Sequence, residues 1–281
     1  MRPTQWVKNT VVFGPLVFAQ ELSRLEALLR TAVVFGCFCM LAGAIYLLND
    51  IADVEADRRH PIKRHRPIAS GDLPIPVARR AAFSMIPFAL TAVLIVSAKA
   101  ALAMLGYLLL NVLYSSALKK LPYLDVVSIA LGFELRVLTG AYAARVPPSG
   151  YLVAVIFLAA MFLGLGKRMH ELGLANGGRE TRKVLQLYHL GLLRWLVWIF
   201  GLATFLTYLI YTLDPATVQR FRTPHLIWSA IPVAAGMLRF VFLVNSKERP
   251  ESPTDAMLHD PLFIASIGGW VGVVLFVLYI R

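Results

Sequence analysis

Asn49, Asp50, Asp53 and Asp57 lie where a long apolar run ends, and Glu55 stands among them. Spacings of three and four residues put Asp50, Asp53 and Asp57 on one face of a helix, with Asn49 one turn before Asp53. Three like charges on one stripe repel, so a cation belongs beside them. Hard oxygen donors in this pattern, with room for water and a phosphorylated substrate, suit Mg²⁺. The plain alternative is a solvated helix end whose acids pair with Arg58, Arg59 and Lys63. Ionisable groups directly at the end of a membrane helix weigh towards a site.

Within ten residues of Asp57 come Arg58, Arg59, Lys63, Arg64 and Arg66, then the turn "ASGDLP". With that turn holding them near the acids, Lys63, Arg64 and Arg66 are candidates for direct phosphate contacts, while the metal neutralises a diphosphate. A positive loop against anionic lipid headgroups is the alternative. Lys8 and Asn9 are candidate donor contacts, a snorkelling Lys being the other reading. Glu134 and Arg136 are two apart inside an apolar window, so they do not share a helix face and one or both should face a cavity. Asp125 after Pro122, and Asp260 before Pro261, read as helix caps; Asp255 and Asp260 as a displaced acidic pair is the alternative. His60, His65 and His170 lack a ligand-like arrangement and read as loop residues, and Cys37 and Cys39 as packing residues.

These groups need a scaffold, and composition says which. The chain has 281 residues, 58% hydrophobic and 16% charged, with a mean hydropathy of +0.67. That is too apolar for an ordinary soluble domain and points to a bilayer. The net charge of +12 comes without an aromatic-basic platform or zinc spacing, which argues against nucleic acid. Apolar windows cover residues 6–20, 28–49, 77–97, 100–117, 124–144, 151–167, 189–211, 225–245 and 261–280. The expected fold is all-α and polytopic: about nine transmembrane helices in one intramembrane domain, residues 1–281. About eighteen Lys and Arg fall on the side of the N-terminus and about seven on the other, which places the N-terminus and the charged loops in the cytoplasm.

"NDIADVEADRRHPIKRHRPIASG" resembles the first aspartate-rich motif of the UbiA superfamily of intramembrane prenyltransferases, and the nine-window plan is similar to theirs over essentially the whole chain. "RPTQWVKN", "YSSALKKLPYLDV", "GFELRVLTGA" and "GKRMHEL" resemble the decaprenyl-phosphate phosphoribosyltransferase branch. The resemblance implies metal ligands at Asn49, Asp50, Asp53 and Asp57, with the three aspartates catalytic. Tyr114 and Lys119 are similar to a Tyr and Lys pair after the fourth helix, with one more residue between them than the usual Y-x-x-x-K. Where the superfamily carries a second D-x-x-x-D after the sixth helix, this chain has Lys167, Arg168 and Glu171. Two bases in place of two acids turn a metal site into a direct anion site, which suits a donor with a second phosphate remote from its diphosphate.

The implied reaction is Mg²⁺-dependent transfer of 5-phosphoribose from phosphoribosyl pyrophosphate (PRPP) to a polyprenyl phosphate at the cytoplasmic face of the inner membrane, within cell-wall biosynthesis. An anionic phosphate nucleophile needs no general base. Rival readings are a UbiA-type transferase acting on an aromatic or other acceptor, a CDP-alcohol phosphatidyltransferase, whose D-G-x-x-A-R signature is missing, and a transporter. Against the last, the charges gather at one face and not at the midplane. Lipid chain length and homo-oligomer formation are left open by the sequence.

Overall fold

In hydrocarbon a backbone has no water to bond, so a long apolar run satisfies its N–H and C=O groups only as a helix. The computed structural model describes residues 3–175, 183–246, 256–257 and 259–280, and no strand occurs among them. Eight helices among the described residues are long and apolar enough to cross a bilayer. They are α1 (Leu25–Ala52), α2 (Ile75–Val96), α3 (Ala98–Ser116), α4 (Leu124–Ala144), α5 (Gly150–Ala175), α6 (Leu190–Leu213), α7 (Ala230–Asn245, led in by the 3₁₀ turn His225–Ser229) and α8 (Pro261–Leu275, continued by the π turn Phe276–Ile280). The chain is therefore a multi-pass membrane protein. Ser97 alone separates α2 from α3, in extended backbone.

The first window is the departure. In place of a full α-helix over 6–20, the chain forms a 3₁₀ helix, Pro3–Phe13, and one short α-helix, Gly14–Phe18. The larger rise of a 3₁₀ helix still gives these two pieces a reach of about 30 Å, the thickness of the hydrocarbon core.

Two compact units divide the chain: residues 1–116 with 135–148, and residues 117–134 with 149–281, so α4 supplies residues to both. In the first unit, Val34, Cys37, Phe38, Leu41 and Ile45 recur at helical spacing along α1 and are buried with Ala89 and Val93 of α2, Met104 and Tyr107 of α3, and Val12. Both cysteines are buried and free, as packing residues should be. At the other end of this unit, Arg24 and Arg30 donate to the last carbonyls of α4, at Ala144 (2.7 Å) and Ala143 (2.8 Å), satisfying acceptors that the helix itself leaves open. In the second unit the core joins Val126 and Ala130 of α4, Phe162 and Leu165 of α5, Leu193 and Val197 of α6, and Phe240, Leu243 and Val244 of α7.

Gly140 of α4 seats the 3₁₀ segment. A Cβ there would run into the Val12 carbonyl oxygen, and that neighbour is backbone, which cannot rotate aside. Alanine would gain about 1 kcal/mol of helix propensity. Overpacking in a tight core costs about 1 to 3 kcal/mol, and here the upper end applies because the obstacle is main chain. Gly140→Ala should therefore lower the thermal unfolding midpoint of the detergent-solubilised protein. An unchanged or raised midpoint would mean that the 3₁₀ segment shifts freely against α4.

Candidate active site

Helix α1 carries Asn49 and Asp50 in its last turns and stops at Ala52. Asp53 breaks the helical dihedrals (φ −98°, ψ 9°), and a second helix, Val54–Arg59, starts at once and carries Asp57. The break is slight, because Asp53 N–H still bonds the Asn49 carbonyl (2.9 Å) and Asp57 N–H the Asp53 carbonyl (2.8 Å). The sides of the expected stripe nevertheless differ. Asp57 is buried and Asp50 mostly so, whereas Asp53 is exposed. Asn49 is held by Ser115 of α3, whose hydroxyl donates to its Oδ1 (3.0 Å).

The chain returns to this face through Arg66. Its Nη1 lies 2.5 Å from Asp57 Oδ2 and 3.2 Å from Asp50 Oδ1, so one nitrogen bridges two carboxylates seven residues apart. Its C-terminal neighbours fix its place: Pro67 opens a one-turn helix, Pro67–Ser70, and Gly71 closes it in the left-handed conformation (φ +93°) that favours glycine. The basic loop thus reaches the acids through Arg66. Lys63 is half-buried and Arg64 exposed, and neither forms an ion pair with a carboxylate among the described residues. Arg58 pairs instead with Glu55 at the surface (2.9 Å). His60 accepts from the N–H groups of Ile62 and Lys63 and so shapes the loop.

No group of three or more His, Cys, Asp or Glu side chains placed to hold a metal ion occurs among the described residues, so Asp50, Asp53 and Asp57 do not converge as one three-carboxylate set. Mg²⁺ keeps several waters and takes one or two carboxylates together with substrate phosphates, and Asp50 and Asp57, which share Arg66, are such a pair. The donor set is all oxygen, and a guanidinium cation already lies between two of its members. The residues present fit the metal.

Asn9 and Arg136 meet, although 127 positions separate them. Arg136 Nε donates to Asn9 Oδ1 (2.8 Å) and its Nη2 to the Tyr107 hydroxyl (2.8 Å). Its guanidinium carbon sits 4.5 Å from the Tyr107 ring centroid, a cation–π contact. Both Asn9 and Arg136 are buried, and Asn9 also donates to Cys39 Sγ (3.3 Å). Arg136 does turn inward, and it grips the first segment of the chain. Lys8 is exposed, while Glu134 and Tyr114 are half-buried.

The second unit requires three corrections. Asp125 is more than a cap. Its carboxylate is fully buried and accepts from Arg168 Nε (2.8 Å), from the Val126 N–H (2.9 Å) and from the Tyr188 hydroxyl. Arg168, expected as an anion ligand, is buried in turn and spends a further nitrogen on Glu171 (2.6 Å). Its charge is held by two carboxylates, so it reads as a positioning residue. Tyr188 closes the cluster by accepting from the Tyr123 N–H (2.9 Å), where Tyr123 holds a strained left-handed backbone (φ 66°). Burial first, then the bond to Asp125, push the Tyr188 phenol well above its ordinary range and keep it a donor. Lys119, on the 3₁₀ turn Leu118–Lys120, and Lys167 are half-buried.

His170 is corrected too: it lies within α5, not in a loop, and is buried with Nδ1 against the Val244 carbonyl (3.0 Å). Asp260 caps α8 as expected, accepting from Phe263 N–H (3.0 Å), and also binds Arg239 through both oxygens. Asp255 lies outside the described residues. The sequence reading missed Ser115, Tyr107, Tyr188 and Arg239. Only Arg239, a lone cation inside an apolar window, carried a signal that could have found it.

Three comparisons bear on this arrangement. A decaprenyl-phosphate phosphoribosyltransferase of Corynebacterium glutamicum is 32% identical over 285 residues, spanning 100% of this chain and 86% of its own length. One from Mycolicibacterium smegmatis is 30% identical over 289 residues, spanning 98% and 89%. A UbiA homologue of Archaeoglobus fulgidus, solved with DMAPP and Mg²⁺, shares the fold with a TM-score of 0.73 at 16% identity, over 100% of this chain and 98% of that one. The model of the UbiA prenyltransferase family matches residues 10–267, and with the acidic face at the end of α1 this chain belongs to that family.

Proposed function

We propose that this protein transfers 5-phosphoribose from PRPP to a polyprenyl phosphate and releases diphosphate, at the cytoplasmic face of the inner membrane. The observation that carries the reading is the end-to-end likeness to proteins named decaprenyl-phosphate phosphoribosyltransferases, which leaves no large part of the chain unmatched. The excess of basic residues on the side of the acidic face supports the orientation.

The bond that breaks joins ribose C1 to the diphosphate, and the bond that forms joins C1 to a lipid phosphate oxygen. Asn49, Asp50, Asp53 and Asp57 would hold Mg²⁺, which when bound offsets the charge that gathers on a departing diphosphate. Arg66 stands among these acids and, with Lys63 and Arg64 on the same loop, offers guanidinium and ammonium donors to the diphosphate oxygens. Ser115 fixes the Asn49 amide by binding its oxygen. Within the second unit Arg168 is held by Asp125 and Glu171, and the basic side chains Lys119 and Lys167 of that unit are candidates for a phosphate contact. The lipid phosphate is an anion at neutral pH, so the chain has no proton to remove from it.

Purified protein given labelled PRPP, Mg²⁺ and a polyprenyl phosphate should form a labelled lipid, with attack from the face opposite the leaving group inverting the anomer. Label incorporated from a prenyl diphosphate and not from PRPP would overturn this reading in favour of ordinary prenyl transfer.

A further inference from the structure

Arg66 contacts Asp50 and Asp57 through one nitrogen and not through the two-nitrogen fork that guanidinium usually offers a carboxylate. It therefore sits as a point cation between two candidate metal ligands. Asp57 is nearly inaccessible, and Arg66 is only about a quarter exposed, with side-chain exposures of 4% and 28%. A divalent ion drawn to both carboxylates meets that guanidinium at close range, and like charges so near one another cannot share the face. The backbone gives Arg66 somewhere to go, because it precedes Pro67 in extended conformation, at the edge of a loop with exposed neighbours.

We infer that Arg66 is a built-in counter-ion of the acidic face, displaced when the metal arrives and then taken up by the donor's diphosphate. Metal alone binds weakly because it must evict Arg66 without compensation, whereas metal and diphosphate together offer the guanidinium a new anionic partner. Metal and donor consequently enter as a pair. This inference rests on the proposed assignment of the metal to Asn49, Asp50, Asp53 and Asp57, and not on the identity of the sugar or the lipid.

The test measures metal binding without any turnover. Mn²⁺ titrated into the detergent-solubilised protein, read by electron paramagnetic resonance of the free ion, should bind Arg66→Gln at least about tenfold more tightly than the parent. Arg66→Lys keeps the charge and should bind it about as weakly as the parent. A second measurement uses the parent protein alone. Saturating Mg²⁺ should speed modification of Arg66 by phenylglyoxal, followed by peptide mass spectrometry, and inorganic diphosphate added with the metal should slow it again. Arg66→Gln binding Mn²⁺ no more tightly than the parent, or Arg66 reacting at the same rate with and without Mg²⁺, would overturn the inference. Neither measurement contains PRPP or lipid, so failure of the phosphoribosyl reading would leave both results standing.

Discussion

Asp57→Asn should reduce turnover by about a thousandfold while leaving the protein folded. Asparagine keeps an oxygen that can accept from Arg66 Nη1, now 2.5 Å away, but it brings no charge. The metal loses a carboxylate, and several kcal/mol of transition-state charge stabilisation go with it; about 4 kcal/mol corresponds to a thousandfold loss of rate. The fold should tolerate the change because Arg66 retains Asp50, and because removing one of three like charges relieves repulsion along the end of α1. Initial rates at saturating substrates, beside the thermal midpoint, separate the two effects. An active Asp57→Asn enzyme would remove the metal role from this residue. A collapsed one would make Asp57 a folding residue instead.

The largest effect on stability belongs to Arg168→Met. The change would strand the Asp125 carboxylate, at 1% side-chain exposure, with only Tyr188 and one backbone N–H as donors. Breaking a buried ion pair from one side costs about 3 to 5 kcal/mol, because the remaining charge has no water to return to. The single variant should therefore show a sharply lower thermal midpoint and yield. Adding Asp125→Leu should recover much of the loss, since replacing both partners with apolar groups leaves no buried charge. The double-mutant cycle is the measurement. If Arg168→Met is as stable as the parent and only its donor affinity falls, Arg168 is a phosphate ligand after all and the buried pair adds nothing to the fold.

Periodicity and length were enough to place the long helices, because hydrocarbon allows an apolar run little other structure; α4 and α8 begin at their expected positions. The acidic stripe was readable for a similar local reason, since residues three and four apart meet wherever a helix forms. What could not be read was every choice that depends on a distant partner. The 3₁₀ form of Pro3–Phe13 is tied to the missing side chain of Gly140, far along the chain. Asp125 looked like a cap because caps are local, whereas its charge is answered by Arg168 and Tyr188, 43 and 63 positions away. Arg66 reads as an anion ligand from its charge, and no spacing rule shows that it settles on its own chain's acids.

The grip of Arg136 on Asn9 also has a schedule. The two residues are 127 positions apart, and Gly140, which admits the Val12 carbonyl, is made later still. At about 5 to 20 residues per second, the ribosome delivers the partner on the order of ten seconds after the first segment has emerged. For that interval the opening stretch has only α1 to rest on, through Cys39 and the core beside Val12, and lacks the half of its seat that α4 supplies. The beginning of the chain is thus among the last parts of its unit to settle, and a pause in synthesis between α1 and α4 would lengthen its exposure to chaperones and proteases without altering a single contact in the finished protein.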